Sequence, residues 1–177
     1  LEDIHQLIRD CLANDRLGQE KLYKKFYPVF YLLCRKFFNN DEEAMEVLND
    51  GMLQVFTQLH RYAAEKGEFI NWAYTVIRNV ALDKVRRKKM PVYGEIEEDT
   101  VVTENNILSK LNGADIYKLL DALPAMTRAV CTLFYLEGFS IKEAAEQLQM
   151  SQGTVKWHLS ETRSKLKPIL EQYYLNI

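Results

Sequence analysis

The chain has 177 residues, 47% of them hydrophobic, which is enough to bury the core of one ordinary domain or two small ones and excludes disorder of the whole. Seven Gly and four Pro are poor punctuation for a many-stranded sandwich or barrel and point instead to long helices. A formal net charge of −2, from 23 Lys and Arg against 25 Asp and Glu, excludes a uniformly basic nucleic-acid coat but leaves room for local ones.

The first ten residues, LEDIHQLIRD, place charges where a secretory signal needs an apolar run, and a short helix is expected over residues 2–13. From Gln19 to Phe38 the apolar residues Leu22, Phe26, Val29, Phe30, Leu33 and Phe37 step by three or four, the spacing of one helix face. Asp41 reads as the N-cap of a second long helix whose stripe is Ala44, Val47, Leu48, Leu53, Phe56 and Leu59. A third runs from Phe69 to Lys88, with Phe69, Ala73, Val76, Ile77, Val80 and Ala81 on one side. Tertiary packing is expected to hold these in a single bundle, residues 1–90.

Pro91, Gly94 and an acidic run break the pattern, and residues 91–110 read as a solvated linker. A new apolar pattern runs from Ile107 to Leu123, and Pro124 suits the first turn of the helix that Thr127 to Leu136 continues. Gly138 stops it, and Ser140 with Glu143 forms a capping box for the next helix. No stretch alternates with period two for long enough to propose a strand. The expected fold class is all-α, two small helical modules joined by an acidic linker, the second at 111–177.

The modest net charge hides a sharp segregation that follows the same division. Lys84, Arg86, Arg87, Lys88 and Lys89 put five cations into six residues. Glu95, Glu97, Glu98, Asp99 and Glu104 then put five anions into ten, and Lys156, Arg163, Lys165 and Lys167 later face only Glu161. Cys11, Cys34 and Cys131 are an odd number without CxxC spacing, and His5, His60 and His158 neighbour none of them, so no metal, haem or disulfide framework is expected and no cofactor. The thiols read as small buried hydrophobes in a reducing cytoplasm. No run approaches the roughly 18 apolar residues of a membrane span, so a soluble, cytoplasmic protein without membrane insertion is expected.

Residues 140–166 carry the most specific local signal. Ala144, Ala145 and Leu148 make a short helix, Met150 is a buried turn position, and Ser151 caps a second helix with Val155, Leu159 and Leu166 inward. Gln152, Lys156, Ser160 and Arg163 fall on the other side, free to enter a major groove as in a helix-turn-helix; a plain helical hairpin with a solvated face is the alternative. Trp157 can pack on the preceding helix, touch a thymine methyl or stack on sugar, and His158 reads as a polar surface residue or phosphate donor. Between Gly67 and Lys89, aromatic residues share one helix with cations, a pattern that suits a phosphate backbone and unpaired bases and equally a core helix with a solvated tip.

The pattern F-x-x-W-x-x-x-x-x-R-N-x-A-L-D-x-x-R-R, met at Phe69, Trp72, Arg78, Asn79, Ala81, Leu82, Asp83, Arg86 and Arg87, resembles region 2 of extracytoplasmic-function (ECF) sigma factors of the sigma-70 family. Leu22-Tyr23 with Phe26-Tyr27-Pro28, and Glu43 to Leu48 through Gln54-Val55-Phe56, look like the earlier helices of that region. Leu123-Pro124-Ala125 with Arg128, and Glu137 to Ser140 through Thr154-Val155-Lys156, look like region 4. The resemblance spans residues 15–170. It implies a sigma factor that binds core RNA polymerase, recognises −35 and −10 promoter DNA and promotes melting, with no catalytic activity of its own.

By that resemblance, the helix at 43–58 docks on the clamp of the largest polymerase subunit through Glu46, Asn49, Asp50, Met52 and Phe56. Tyr62, Trp72, Arg78 and Asn79 serve the opened −10 strand, with Lys84, Arg86, Arg87 and Lys88 on phosphates. Ser151, Gln152, Thr154, Lys156, Trp157, Ser160, Glu161 and Arg163 serve the −35 duplex, and region 4 also meets the flap of the second-largest subunit. The acidic linker would lie near the RNA exit path, and an anti-sigma factor is a further implied partner. Departures are Asn49-Asp50 where the family often has Gln-Glu, Gly51-Met52 in place of a small residue and Phe, and Glu161 where arginine is common. An interior Gly51 costs roughly 1 kcal/mol relative to alanine, while Glu161 can accept from cytosine N4. The competing reading, a helix-turn-helix regulator acting as a dimer, leaves the pattern at 67–89 unexplained.

Overall fold

A computed structural model describes residues 3–88 and 113–175. The linker expected at 91–110, the cation Lys89 and the first residues of the pattern from Ile107 lie outside the described residues. All regular structure among the described residues is helical: α1 (Ile4–Leu12), α2 (Arg16–Phe37), α3 (Asp41–Gln58), α4 (Phe69–Arg87), α5 (Gly113–Asp121), α6 (Ala125–Cys131), α7 (Ile141–Leu148) and α8 (Gln152–Leu175). Short 3-10 turns, Leu59–Arg61 and Ala64–Lys66, lie between α3 and α4, and α6 widens into a π turn over Thr132–Leu136. The chain divides into two units. The first runs to Arg35 and from Asn40 to Asp83; the second takes Lys36–Asn39 and the chain from Lys84 onward, so the division runs through the last turns of α2 and α4.

In the first unit, each helix buries part of the row that its apolar period selects, while Phe26, Phe56, Val76 and Val80 are half-buried. Leu7, Ile8 and Cys11 of α1, Leu22, Phe30, Leu33 and Cys34 of α2, and Phe69, Ala73, Ile77 and Ala81 of α4 are all within the core. On α3 the buried row is Ala44, Val47, Leu48, Gly51, Met52 and Val55. This corrects the expected stripe by one residue: Leu53 is 63% exposed and Met52 is 2% exposed. On α2, Val29 is likewise exposed at 41% rather than buried. The cap of α3 is Asn40, one residue before the expected Asp41, with its side chain accepting from the Glu43 amide at 2.7 Å.

Gly51 explains the phase of α3. A Cβ built there would lie 2.9 Å from Cγ1 and 3.0 Å from Cγ2 of Ile77, a fully buried side chain on α4. The missing side chain is therefore what lets α4 approach, and it turns Gly51 and Met52 inward together. Its helix-propensity cost is offset by that close packing.

The second unit is organised around a buried cation. Arg128 of α6 is 2% exposed, and its guanidinium donates to the carbonyls of Leu120 at 2.7 Å, Leu123 at 3.0 Å and Asp121 at 3.4 Å. Leu120 and Asp121 close α5 and Leu123 follows it, so the positive charge sits at the negative end of that helix, sharing the Leu120 carbonyl with the Leu123 amide. Around it, Leu119, Leu120, Leu123, Cys131, Leu166 and Leu170 form one apolar cluster joining α5, α6 and the second half of α8. Pro124 stands one residue before α6 as its cap. Gly138 ends the π turn at a φ of +74°, a value that a side-chain-bearing residue rarely adopts. The box of Ser140 and Glu143 that opens α7 is formed in both directions. All three cysteines are buried and free of disulfides, and burial pushes the thiols of Cys34 and Cys131 up to about 12.

Gly51→Ala tests the packing of α3 on α4. The substitution gains about 1 kcal/mol of helix propensity against an overpacking cost of about 1–3 kcal/mol. A lower thermal midpoint is expected by calorimetry or circular dichroism; a raised one would show that Ile77 yields freely.

Candidate functional site

The loop before α4 closes on itself. Tyr62 is half-buried, and its ring stands edge-on to Phe69 at 5.6 Å and tilted against Trp72 at 5.7 Å. Its hydroxyl donates to the Gly67 carbonyl at 3.1 Å. Phe26, Tyr62 and Phe69, together with Ile4, His5, Ala64, Gly67, Glu68 and Ile70, line a hollow of about 540 Å³.

Past that hollow, α4 presents a strip. Trp72, Asn79 and Arg86 recur every seven residues, which at about 100° per residue returns within about 20° to the same side of a helix. Asn71 and Thr75 are exposed beside this strip, and the Thr75 hydroxyl donates to the Asn71 carbonyl at 3.1 Å. Asn79 and Arg87 are exposed, while Trp72, Arg78, Lys84, Arg86 and Lys88 are half-buried. Five residues separate Asn79 from Lys84, which sets Lys84 about 140° away. Arg86 and Arg87 are thus the cations nearest the line of the strip, Arg87 exposed and Arg86 half-buried with its guanidinium donating to the Gln147 carbonyl, and Lys84 and Lys88 are spread round the end of the helix. Asn71 and Thr75 escaped the sequence reading, although the seven-residue repeat through Trp72 points to the side that they share.

The outward side of α3 is formed by Glu46, Asn49, Asp50 and Leu53, spaced by three or four and all exposed. Phe56 is half-buried at its edge. Met52 does not belong to this surface. Fixed inward next to Gly51, it has no area to offer a partner, and Leu53 holds the apolar place expected of it.

In the second unit, α7, a turn and α8 form the expected helix-turn-helix. Gln149 ends α7 in the left-handed conformation, the Met150 amide donates to the Ala145 carbonyl at 3.0 Å, and the Ser151 hydroxyl accepts from the Thr154 amide at 3.0 Å. Met150 is half-buried rather than buried. Ala144, Ala145, Leu148, Val155, Leu159 and Leu166 are in the core as expected. Ser151 and Gln152 are exposed, and Thr154, Lys156, Trp157, Ser160, Glu161 and Arg163 are half-buried. Thr154 and Ser151 also share a hydroxyl hydrogen bond at 2.9 Å, so both serve the cap. Glu161 pairs with Lys165 at 3.2 Å, which ties its carboxylate to its own helix.

His158 is corrected from a surface residue to a core one. It is 1% exposed, Nδ1 lies 3.0 Å from the Thr127 hydroxyl of α6, and the Thr162 hydroxyl donates to its carbonyl at 2.9 Å. Trp157 meets its ring edge-on at 4.9 Å. A histidine inside a recognition helix is polar by type, and nothing in its sequence spacing marked Thr127 as its partner.

The family model for Sigma-70 region 2 matches residues 22–90, and that for Sigma-70, region 4 matches residues 113–166. The chain is 26% identical over 174 residues to the ECF RNA polymerase sigma factor SigM of Mycobacterium tuberculosis, covering 97% of this chain and 85% of that protein. It is 24% identical over 182 residues to the ECF RNA polymerase sigma factor SigW of Bacillus subtilis, covering 93% and 97%. The sigma factor RpoE of Bartonella quintana, solved with the anti-sigma factor NepR, shares the fold at a TM-score of 0.50 and 18% identity, over 86% of this chain and 96% of that one.

Burial of His158 lowers its pKa to about 4, with Glu161 opposing in part. The unfolded imidazole takes up its proton near 6.5, so between the two values the unfolded chain binds more protons. The stability that His158 contributes is therefore complete above about pH 6.5 and is lost as pH falls toward about 4. An NMR titration is expected to find the ring neutral down to that range; a midpoint near 6.5 would contradict the buried placement.

Proposed function

The chain belongs to the extracytoplasmic-function sigma factors of the sigma-70 family and is an alternative RNA polymerase sigma factor; from that premise we propose which of its surfaces carry each step of initiation. The outward side of α3, with Glu46, Asn49, Asp50, Leu53 and the edge of Phe56, docks on the clamp of the core enzyme. Its mixture of exposed carboxylates, an amide and one large apolar side chain is the make-up of a specific docking patch, in which the apolar centre contributes affinity and the charges choose the partner.

The −10 element is held by the strip on α4. Each base step of opened duplex costs about 1.4 kcal/mol, and each base stacked on an aromatic side chain returns about 1–3 kcal/mol. The ring contacts of Tyr62 with Phe69 and Trp72, at the start of the helix that also carries the exposed Asn79, are the observation that carries this reading. Aromatic walls receive unstacked bases, Asn79 supplies directional hydrogen bonds, and Arg86 and Arg87 hold the backbone that follows. Tyr62 offers its ring, because its hydroxyl is already committed to Gly67.

The −35 duplex is read by α8. Gln152, Lys156 and Arg163 lie along its outer side, Ser160 between them, and the N-terminus of the helix favours a phosphate beside Ser151. An anti-sigma factor that covers these surfaces is a further proposed partner, as is the flap of the second-largest subunit for the second unit. The work is assigned to the cytoplasm, where polymerase and promoter meet, and no chemical step is assigned to the chain itself.

Separate variants divide these roles. Asn79→Ala with Arg86→Ala is expected to leave core affinity intact and to lower permanganate reactivity of −10 thymines at least tenfold, from the loss of one base and one phosphate contact. Gln152→Ala with Arg163→Ala is expected to weaken closed-complex formation first. Unchanged melting in the α4 double variant would contradict the assignment of the strip.

A further inference from the structure

Along α2, Tyr23, Tyr27 and Tyr31 recur every four residues and form a ladder. Ring centroids are 5.9 Å apart between Tyr23 and Tyr27, and 5.6 Å apart at an interplanar angle of 11° between Tyr27 and Tyr31. Each rung ends on α3, one turn further on. Tyr31 donates to Asp41 Oδ1 at 2.8 Å, Tyr27 to the Met45 sulfur at 3.4 Å, and Tyr23 to Asn49 Oδ1 at 2.9 Å. As residue numbers fall by four on α2, they rise by four on α3, the register of an antiparallel pair, so a slip of one turn would break every rung. The first rung is reinforced by Arg35, whose Nε lies 3.2 Å from Asp41 Oδ1. Burial raises the pKa of Tyr23, which keeps its hydroxyl a donor across the physiological range.

The third rung ends on Asn49, which stands exposed on the side of α3 formed by Glu46, Asp50 and Leu53. An asparagine amide has one oxygen and one NH₂ group. With the oxygen held by Tyr23, the NH₂ group is the part of the amide left to donate, on a side of α3 that Asn49 shares with the exposed Glu46, Asp50 and Leu53.

We propose that Tyr23 is a positioning residue for polymerase docking: its hydroxyl fixes the Asn49 amide so that α3 offers a hydrogen-bond donor on the same side as Glu46 and Asp50. The inference rests on the reading of α3 as the docking helix. The complementary surface then carries an acceptor, a carboxylate or a backbone carbonyl, opposite Asn49, cations opposite Glu46 and Asp50, and an apolar seat for Leu53. A carboxylate at position 49 would still accept from Tyr23 but would present the wrong sign of hydrogen bond outward.

The test measures affinity of the full chain for purified core polymerase by fluorescence anisotropy, with thermal midpoints taken alongside. Tyr23→Phe keeps the ring and the stack on Tyr27 and removes one hydroxyl. It is expected to weaken core binding about three- to tenfold while leaving the midpoint nearly unchanged. Asn49→Ala is expected to weaken binding at least as much, and adding Tyr23→Phe to it is expected to cost nothing further. Asn49→Asp is expected to bind no better than Asn49→Ala. Asp50→Arg checks the docking face independently. If Asp50→Arg binds as the unaltered chain does, the docking reading fails and this inference falls with it. If Asp50→Arg weakens binding but Tyr23→Phe does not, or Tyr23→Phe costs the same factor with Ala at position 49, the positioning role alone is overturned.

Discussion

A helix of 7 to 24 residues, the range found here, gains little from its own backbone in water, so each exposed face exists because the opposite face is buried. That constraint decides where every proposed contact lies. On α4, Asn71, Thr75 and Asn79 stand exposed because Phe69, Ala73, Ile77 and Ala81 are fixed inward. The face of α8 is likewise set by Val155, His158, Leu159 and Thr162. Binding surfaces in this protein are therefore defined from behind, and a change in the core moves the surface before it removes the fold.

Two devices sharpen that positioning beyond apolar burial. In the second unit, Arg128 gathers the carbonyl end of α5 and leaves those acceptors satisfied away from water, so the start of α6 is aimed by a cation rather than by packing alone. In the first unit, the tyrosines of α2 set the register of α3 with directional bonds at one-turn intervals. Leucines can slide by a rotamer with little loss; a hydroxyl meeting a single oxygen cannot. The tyrosines stand directly behind α3, the helix proposed to meet the polymerase.

The sequence made the all-α class and the helix order legible, because period, caps and breakers agreed over long stretches. Ser140 with Glu143 and Ser151 with Thr154 are local signals, and both caps are formed. What escaped was decided by contacts distant in sequence. The phase of α3 depends on Ile77 approaching Gly51, so Leu53 was placed inward and Met52 outward, the reverse of the structure. Asn40 and Asp41 are both competent caps, and only the backbone turn chooses between them. His158 was read as surface because its partner Thr127 lies on α6, 31 residues away. The seven-residue alignment of Trp72, Asn79 and Arg86 was present in the sequence, and only the drawn helix separates it from the spread of Lys84 and Lys88.

Run-off transcription by core polymerase, with and without the full chain, on promoter fragments from the genome that encodes it tests the central claim most directly. Transcripts with defined starts that appear only when the chain is added, at fragments sharing −35 and −10 sequences, are the predicted result. A chain that binds duplex DNA as a dimer, leaves core polymerase alone and directs no new start would contradict it.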